Sequence, residues 1–476
     1  MSTGATGTSA TAATGTLGGI RRRVGEGLFP PAGEEGPRFS RGEGALVIGL
    51  FLLIATVLSV LRLGTDGYRT IWAEDATVFM ESAFTHGFWP SIFEPYAGYL
   101  NVVPRLIGGF GTVIPLQDAA AVIAVLSAFC AALSGLAVWF GSAGHVRDPW
   151  LRGGLAIATA LAATAGQETL DSAAYVPWFM LIGAFWLLFL RPKTWWGAVA
   201  ASAFLVLTGL STPGVWFFAP VGFLRLLSLS PRREPRTALV AAGWLAGGLA
   251  QIPVILGQDQ GTTMWSRHIW TALVQRVIDG GIFGQRMGGG FWDVGGWKFL
   301  LVLLIVLAIA LVLGLRRAPF STRLFVPLTI AIAFGMFMFS AYQRSIGPSI
   351  FWSPGTSGGT ASRYVLVPSI LFLSAFVALL DGAFRDRLTR DLRSRWPALA
   401  GTALMILAVA VSFDMTYSAR SKPYWSEALR HSANKCITKH EEFAGIETSP
   451  APFGLVVSCY QVEQFASPGV RERAGG

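Results

Sequence analysis

The sequence predicts an all-α fold: a polytopic transmembrane helical bundle of about eleven spans, with short interfacial helices in the first external loop. Three observations predict it. Hydrophobic residues make up 53% of the chain and charged residues only 13%, against about 25% charged in an ordinary soluble domain. Uncharged apolar runs recur along the whole length, each about 17 residues or longer and able to cross a hydrocarbon core roughly 30 Å thick. Between them, basic residues collect in alternate loops, as they do on the cytoplasmic side of helical membrane proteins.

Residues 1–43 come first: a Gly/Thr/Ala/Ser stretch, then Arg21-Arg22-Arg23 and a Pro/Gly/Glu-rich segment. With so little to bury, this stretch is expected to be a disordered cytoplasmic tail. It is not read as a secretory signal, because its charged region is long and no small-residue cleavage site follows the apolar run. The transmembrane domain is expected over 44–413, with spans at 44–62, 118–142, 152–167, 173–190, 195–211, 213–229, 237–257, 298–315, 323–341, 364–381 and 397–413. The run after Trp195 is split at Ser211-Thr212-Pro213-Gly214, which also fits a re-entrant segment. With the N-terminus inside, the inside loops are His145–Arg152, Arg191–Thr194, Ser230–Arg236, Arg316–Arg323 and Arg385–Arg395, and every one is basic. An external C-terminal tail over 414–476 follows from the odd count. The net charge of +10 is therefore a matter of membrane orientation, and no nucleic-acid partner is expected. The expected setting is the lipid bilayer of a bacterial plasma membrane.

The external loops are longer and richer in Trp and Gly, and they hold most of the charge that topology does not explain. Chemistry is expected there. A transporter more often scatters ionisable groups at mid-membrane depth between repeats; here no internal repeat is seen and mid-span charges are few. The first external loop, about 63–117, carries an adjacent acidic pair in Trp72-Ala73-Glu74-Asp75-Ala76-Thr77-Val78-Phe79. Two carboxylates are costly in hydrocarbon, so the pair belongs at the membrane–water boundary. Ala76 to His86 has helical spacing and stops at Gly87, so Glu74 or Asp75 would also cap a helix, a contribution of about 1 kcal/mol. Trp72, Tyr96 and Tyr99 are belt residues by position and equally suitable platforms for sugar rings.

The segment Pro95-Tyr96-Ala97-Gly98-Tyr99-Leu100-Asn101-Val102-Val103-Pro104-Arg105-Leu106 completes a pattern. Trp-x-Glu-Asp-x-x-x-Phe, then Pro-Tyr-x-Gly-Tyr-Leu-x-x-x-Pro-Arg-Leu, then Arg363-Tyr364-x-x-x-Pro368 resembles bacterial members of the GT-C superfamily of integral membrane glycosyltransferases. The resemblance is good over 44–142 and thinner around 363–368. It implies a GT-C-like fold, interfacial helices in the first external loop, an acidic catalytic base there, and a polyprenyl-phosphate sugar as donor. The chain has no Asp-x-Asp, which argues against a soluble, metal-chelating nucleotide-sugar enzyme and leaves a divalent cation open.

Such a reaction needs a carboxylate to accept the proton of the acceptor hydroxyl. It also needs fixed positive charge where the lipid phosphate leaves. Asp75 is expected as the base, with Glu74 as neighbour or second candidate. Arg363, Arg344 and Arg105 are expected on the phosphate, since guanidinium matches phosphate geometry and keeps its charge; Arg267, Arg276 and Arg286 lie on the same side. Tyr364, Glu168 and Asp171 join Trp72, Tyr96 and Tyr99 as candidate substrate contacts, although loop carboxylates are often only solvated. The five histidines are dispersed and no zinc site is expected. Cys130 falls inside a span as a packing residue, whereas Cys436 and Cys459 lie in the external tail, where a disulfide is expected. The leading expectation is an inverting hexosyl- or pentosyltransferase acting on an envelope glycan, lipid or protein. A flippase for lipid-linked sugars, which needs arginines but no base, and a non-enzymatic envelope-assembly component are the alternatives.

Overall fold

The computed structural model describes residues 24–31, 40–166, 168–257, 269–343, 362–388, 395–414, 420 and 422–468. Each of the eleven apolar runs contains a helix. Six helices are long and apolar enough to cross a membrane, within Gly42–Arg62, Leu116–Gly144, Pro235–Leu256, Ile269–Arg317, Phe320–Gln343 and Arg363–Arg385. Trp195–Gly209 and Pro213–Ser228 form a pair bent by 119° and add a seventh crossing if counted as one.

The remaining runs give shorter helices, Pro149–Ala160, Val176–Leu187 and Trp396–Val411. At 1.5 Å per residue a 12-residue helix is about 18 Å long, well short of the bilayer core. The run expected over 152–167 ends early because the chain turns into irregular, buried backbone after Ala160. Its freed carbonyls are met inside the protein: Arg62 Nη2 donates to Ala162 O at 3.2 Å, and the Gln285 N–H donates to Ala163 O at 2.9 Å. Non-helical backbone at this depth is stable only when such partners are supplied.

Cross-contacts sort the loops into two faces. On one, Asp381 Oδ1 accepts from the Arg147 and Asp148 N–H groups at 3.1 and 2.8 Å, Arg191 pairs with Glu234 at 3.5 Å, and Arg225 Nη2 donates to Leu190 O. These are the basic loops, gathered together. Trp195–Gly209 and Pro235–Leu256 both start at this face and pack along their length, with Gly209 against Gly247, so the segment between them carries the chain back. Residues 24–28, expected as part of a disordered tail, are helical. Leu28 and Phe29 are buried in the main core, with Phe29 5.6 Å from the Phe189 ring and beneath Arg225. Enough apolar surface resides in these two side chains to seat the stretch.

The opposite face carries the first loop and the C-terminal segment. In the first loop, a π-helical turn Asp75–Met80 runs into the helix Glu81–His86, which ends at Gly87 with φ +88°. A two-residue hairpin turn at Ala97-Gly98, both at positive φ, joins Pro95–Tyr96 to Tyr99–Leu100, a geometry that suits hairpin twist. The apolar helix Val102–Val113 follows. The C-terminal segment folds as the helix Trp425–Lys439 against the antiparallel pair Phe443–Glu447 and Gly454–Ser458. Cys436 and Cys459 are bonded, with Cα atoms 5.6 Å apart. Ile71, Phe79 and Met80 share one apolar core with Trp425, Leu429, Ile446, Leu455 and Val457.

Candidate active site

The two adjacent carboxylates face different surroundings. Ala73 has φ +24°, a turn of the backbone that reverses the chain between Trp72 and the acidic pair. Asp75 is fully buried. Its Oδ1 accepts from the Ala174 N–H at 2.8 Å and from Ser172 Oγ at 3.2 Å, and its Oδ2 accepts from the Ala173 N–H at 3.0 Å. It thus caps the start of Ala173–Leu187, satisfying amides that have no partner within that helix. Burial pushes the Asp75 carboxyl up to about 7, against the pull of the Ala174 amide and the Arg420 charge.

Glu74 is half-buried. Tyr175 Oη donates to its Oε2 at 3.2 Å, and Arg363 Nη1 donates to Tyr175 Oη at 2.6 Å. Carboxylate and guanidinium are therefore one phenol apart. The Arg363 guanidinium lies over the rings of Tyr175 and Tyr364, at 5.1 and 5.0 Å. Glu168 Oε1 accepts from the Arg363 N–H at 3.3 Å and from Ser362 Oγ at 3.1 Å, placing a carboxylate at the N-terminus of Arg363–Leu388, where the helix dipole favours it. Trp72 packs with Tyr175 and Trp178, and the Tyr364 ring meets Trp178 edge-on. Glu74, Trp72, Tyr175, Glu168, Arg363 and Tyr364 thus form one group.

Asp171 sits behind it, buried at φ +51°. Ser59 Oγ donates to its Oδ1 at 2.9 Å, and burial pushes its carboxyl up to about 6, opposed by the charges of Arg420 and Arg62. Arg420, 2% exposed, donates to the carbonyls of Leu170 and Asp171 and lies over the Trp72 ring at 5.6 Å.

Arg105 and Tyr96 belong to a second group, and Tyr99 lies opposite Tyr96 in the short strand pair. Arg105 is buried, donates to Ser82 Oγ at 3.0 Å and pairs with Glu94 at 3.5 Å. The Tyr96 ring meets Phe79, the ring under Arg105. Arg105 is thus engaged by Glu94 instead of joining Arg363. Arg344 and Arg267 lie outside the described residues. Among the described residues no three His, Cys, Asp or Glu side chains group as metal ligands, and the oxygens of Asp75 face N–H and O–H donors in place of a cation.

Sequence reasoning missed Tyr175 and Arg420. Tyr175 opens an apolar run like any belt aromatic. Arg420 had one available signal: with Lys422 it is a cation soon after the last apolar run, on the side where topology does not call for basic residues.

Fold and site together define a polytopic helical membrane protein with a carboxylate–tyrosine–arginine group at one face. No family model and no curated protein sequence matches the chain. Among solved structures it is similar to the oligosaccharyltransferase of Archaeoglobus fulgidus, crystallised with zinc and sulfate, at 15% identity and a TM-score of 0.36, over 84% of this chain and 57% of that one. It is also similar to ArnT of Cupriavidus metallidurans in the apo state, at 14% identity and a TM-score of 0.28, over 90% of this chain and 100% of that one. The chain spans little more than half the length of the oligosaccharyltransferase.

Proposed function

We propose that the chain is a membrane glycosyltransferase that moves a sugar from a polyprenyl-phosphate donor to an envelope glycan, lipid or protein on the external face of a bacterial plasma membrane. The observation that carries this reading is the half-buried Glu74 carboxylate linked through Tyr175 to Arg363 at the head of a spanning helix. The acceptor hydroxyl attacks the anomeric carbon, its proton passes to Glu74, and the carbon–oxygen bond to phosphate breaks with its electron pair going to the phosphate. A positioned base of this kind contributes roughly 10²–10⁴-fold. Arg363 meets the developing phosphate charge. A guanidinium has five N–H donors and Tyr175 takes one, so a bidentate phosphate contact is within its capacity. Attack opposite the departing phosphate inverts the anomeric centre.

Glu74 replaces Asp75 as the favoured base for a physical reason. Asp75 has no exposed surface and its oxygens are taken by the Ser172 hydroxyl and the first two amides of Ala173–Leu187, whereas Glu74 keeps part of its surface open. Trp72 and Tyr364 offer ring faces beside the same group. The test is transfer itself. Wild-type protein in proteoliposomes is incubated with a panel of radiolabelled polyprenyl-phosphate sugars and an envelope extract. Label moving from at least one lipid into an acceptor supports the reading; movement of intact lipid-linked sugar across the bilayer without transfer would replace it by a flippase.

A further inference from the structure

Behind the acidic pair lies the C-terminal segment, which the proposed chemistry does not use directly. We propose that Arg420 and residues 422–468 are a positioning element for Glu74, holding the backbone before it in a left-handed turn through Ser449 and bracing the loop behind it through Arg420. The inference rests on the reading of Glu74 as the functional carboxylate.

Two backbone hydrogen bonds make the first contact. The Ala73 N–H donates to Ser449 O at 2.6 Å, and the Ser449 N–H donates to Ile71 O at 3.1 Å, forming an isolated parallel bridge at Trp72. Thr448 and Ser449 are buried, and Ser449 Oγ is itself tied to Lys422 O at 2.8 Å. An alanine at positive φ is strained, and the two hydrogen bonds to Ser449 offset that strain. The turn at Ala73 sends Asp75 inward to the Ser172–Ala174 donors and Glu74 toward Tyr175. Released from Ser449, Ala73 would relax and Glu74 would leave the phenol.

Arg420 makes the second contact. Its donations to Leu170 and Asp171 carbonyls fix the loop that supplies Ser172, Ala173 and Tyr175, and its charge opposes the two buried carboxylates Asp75 and Asp171. The segment is anchored independently of either contact. Trp425 Nε1 donates to Leu116 O at 2.6 Å, Tyr424 Oη donates to Asp66 Oδ1 at 3.0 Å, and the Cys436–Cys459 bond ties the helix Trp425–Lys439 to the end of the strand pair. Site and segment also share one apolar core.

The experiment uses full-length protein in nanodiscs and compares wild type, Arg420→Gln and Arg420→Lys. Hydrogen exchange is followed in peptides over 70–80 and over the spans, and kcat and KM are measured for whichever lipid-linked sugar is transferred. Arg420→Gln is expected to raise exchange over 70–80 about tenfold, the loss of roughly one or two hydrogen bonds of local stability, with Pro235–Leu256 unchanged as the sign of an intact bundle. It is expected to lower kcat with donor KM unchanged, and Arg420→Lys to restore part of both. Unchanged exchange over 70–80 overturns the coupling, and raised exchange with unchanged kcat overturns the positioning role. If wild type transfers no sugar, the enzymatic reading falls, and the exchange comparison still upholds or overturns the coupling.

Discussion

Replacing Asp75 by Asn tests the burial of its carboxyl by the pH dependence of stability. The Asp75 carboxyl is fully buried and raised to about 7 from an ordinary 3.8. Because the folded value lies above the unfolded one, the stability it contributes is fully present below about pH 4 and is lost as pH rises to about 7. Roughly three pH units at about 1.4 kcal/mol each give a loss on the order of 4 kcal/mol across that window. Asparagine does not titrate. It does, however, turn an NH₂ toward one of the three donors, at a cost of about 1–3 kcal/mol. The variant is therefore expected to melt level with or below wild type near pH 4.5, to cross it as pH rises, and to melt above wild type from about pH 7, with the difference constant at higher pH. Asp171 titrates in both proteins and cancels in the difference. Thermal melting in nanodiscs at half-unit steps from pH 4.5 to 8.5 measures this, and a gap independent of pH would refute the burial argument.

Two further outcomes follow from the same contacts. Arg363→Ala is expected to weaken use of the lipid-linked donor, and Arg363→Lys to recover only part of it because the fork is lost; unchanged donor saturation in both would remove Arg363 from the site. Phe29→Ala, at a position 1% exposed, is expected to cost about 3–5 kcal/mol of stability through the cavity it leaves, read as a lowered melting temperature, whereas a loose tail would give no change.

Helix placement was legible in the sequence because apolar runs and basic loops are local signals. The five basic loops carry their own record of sidedness in Arg147, Arg191, Arg232, Arg316 and Arg385, and those within the described residues that make cross-contacts do gather on one face. Helix length was less legible. Nothing in the run 152–167 announces that the helix ends at Ala160, because the partners that stabilise the break, Arg62 and Gln285, lie far away in sequence. The site was read in part for the same reason. Glu74, Trp72, Arg363 and Tyr364 stand out by type and motif, but the division of labour between Glu74 and Asp75 depends on the positive φ of Ala73 and on donors a hundred residues away. Phe29 shows the converse limit, since two apolar residues in a Gly/Pro-rich stretch are too weak a pattern to separate a seated segment from a loose one.

The central claim is that Glu74 takes the proton from the acceptor. It is tested most directly by comparing Glu74→Gln with wild type in proteoliposomes, at saturating concentration of the lipid-linked sugar that wild type transfers. The amide keeps the size of the carboxylate and can still accept from Tyr175, but it cannot take up a proton. Turnover is expected to fall roughly 10²–10⁴-fold with donor binding retained. Turnover within about threefold of wild type, far short of the loss of a general base, would contradict the account.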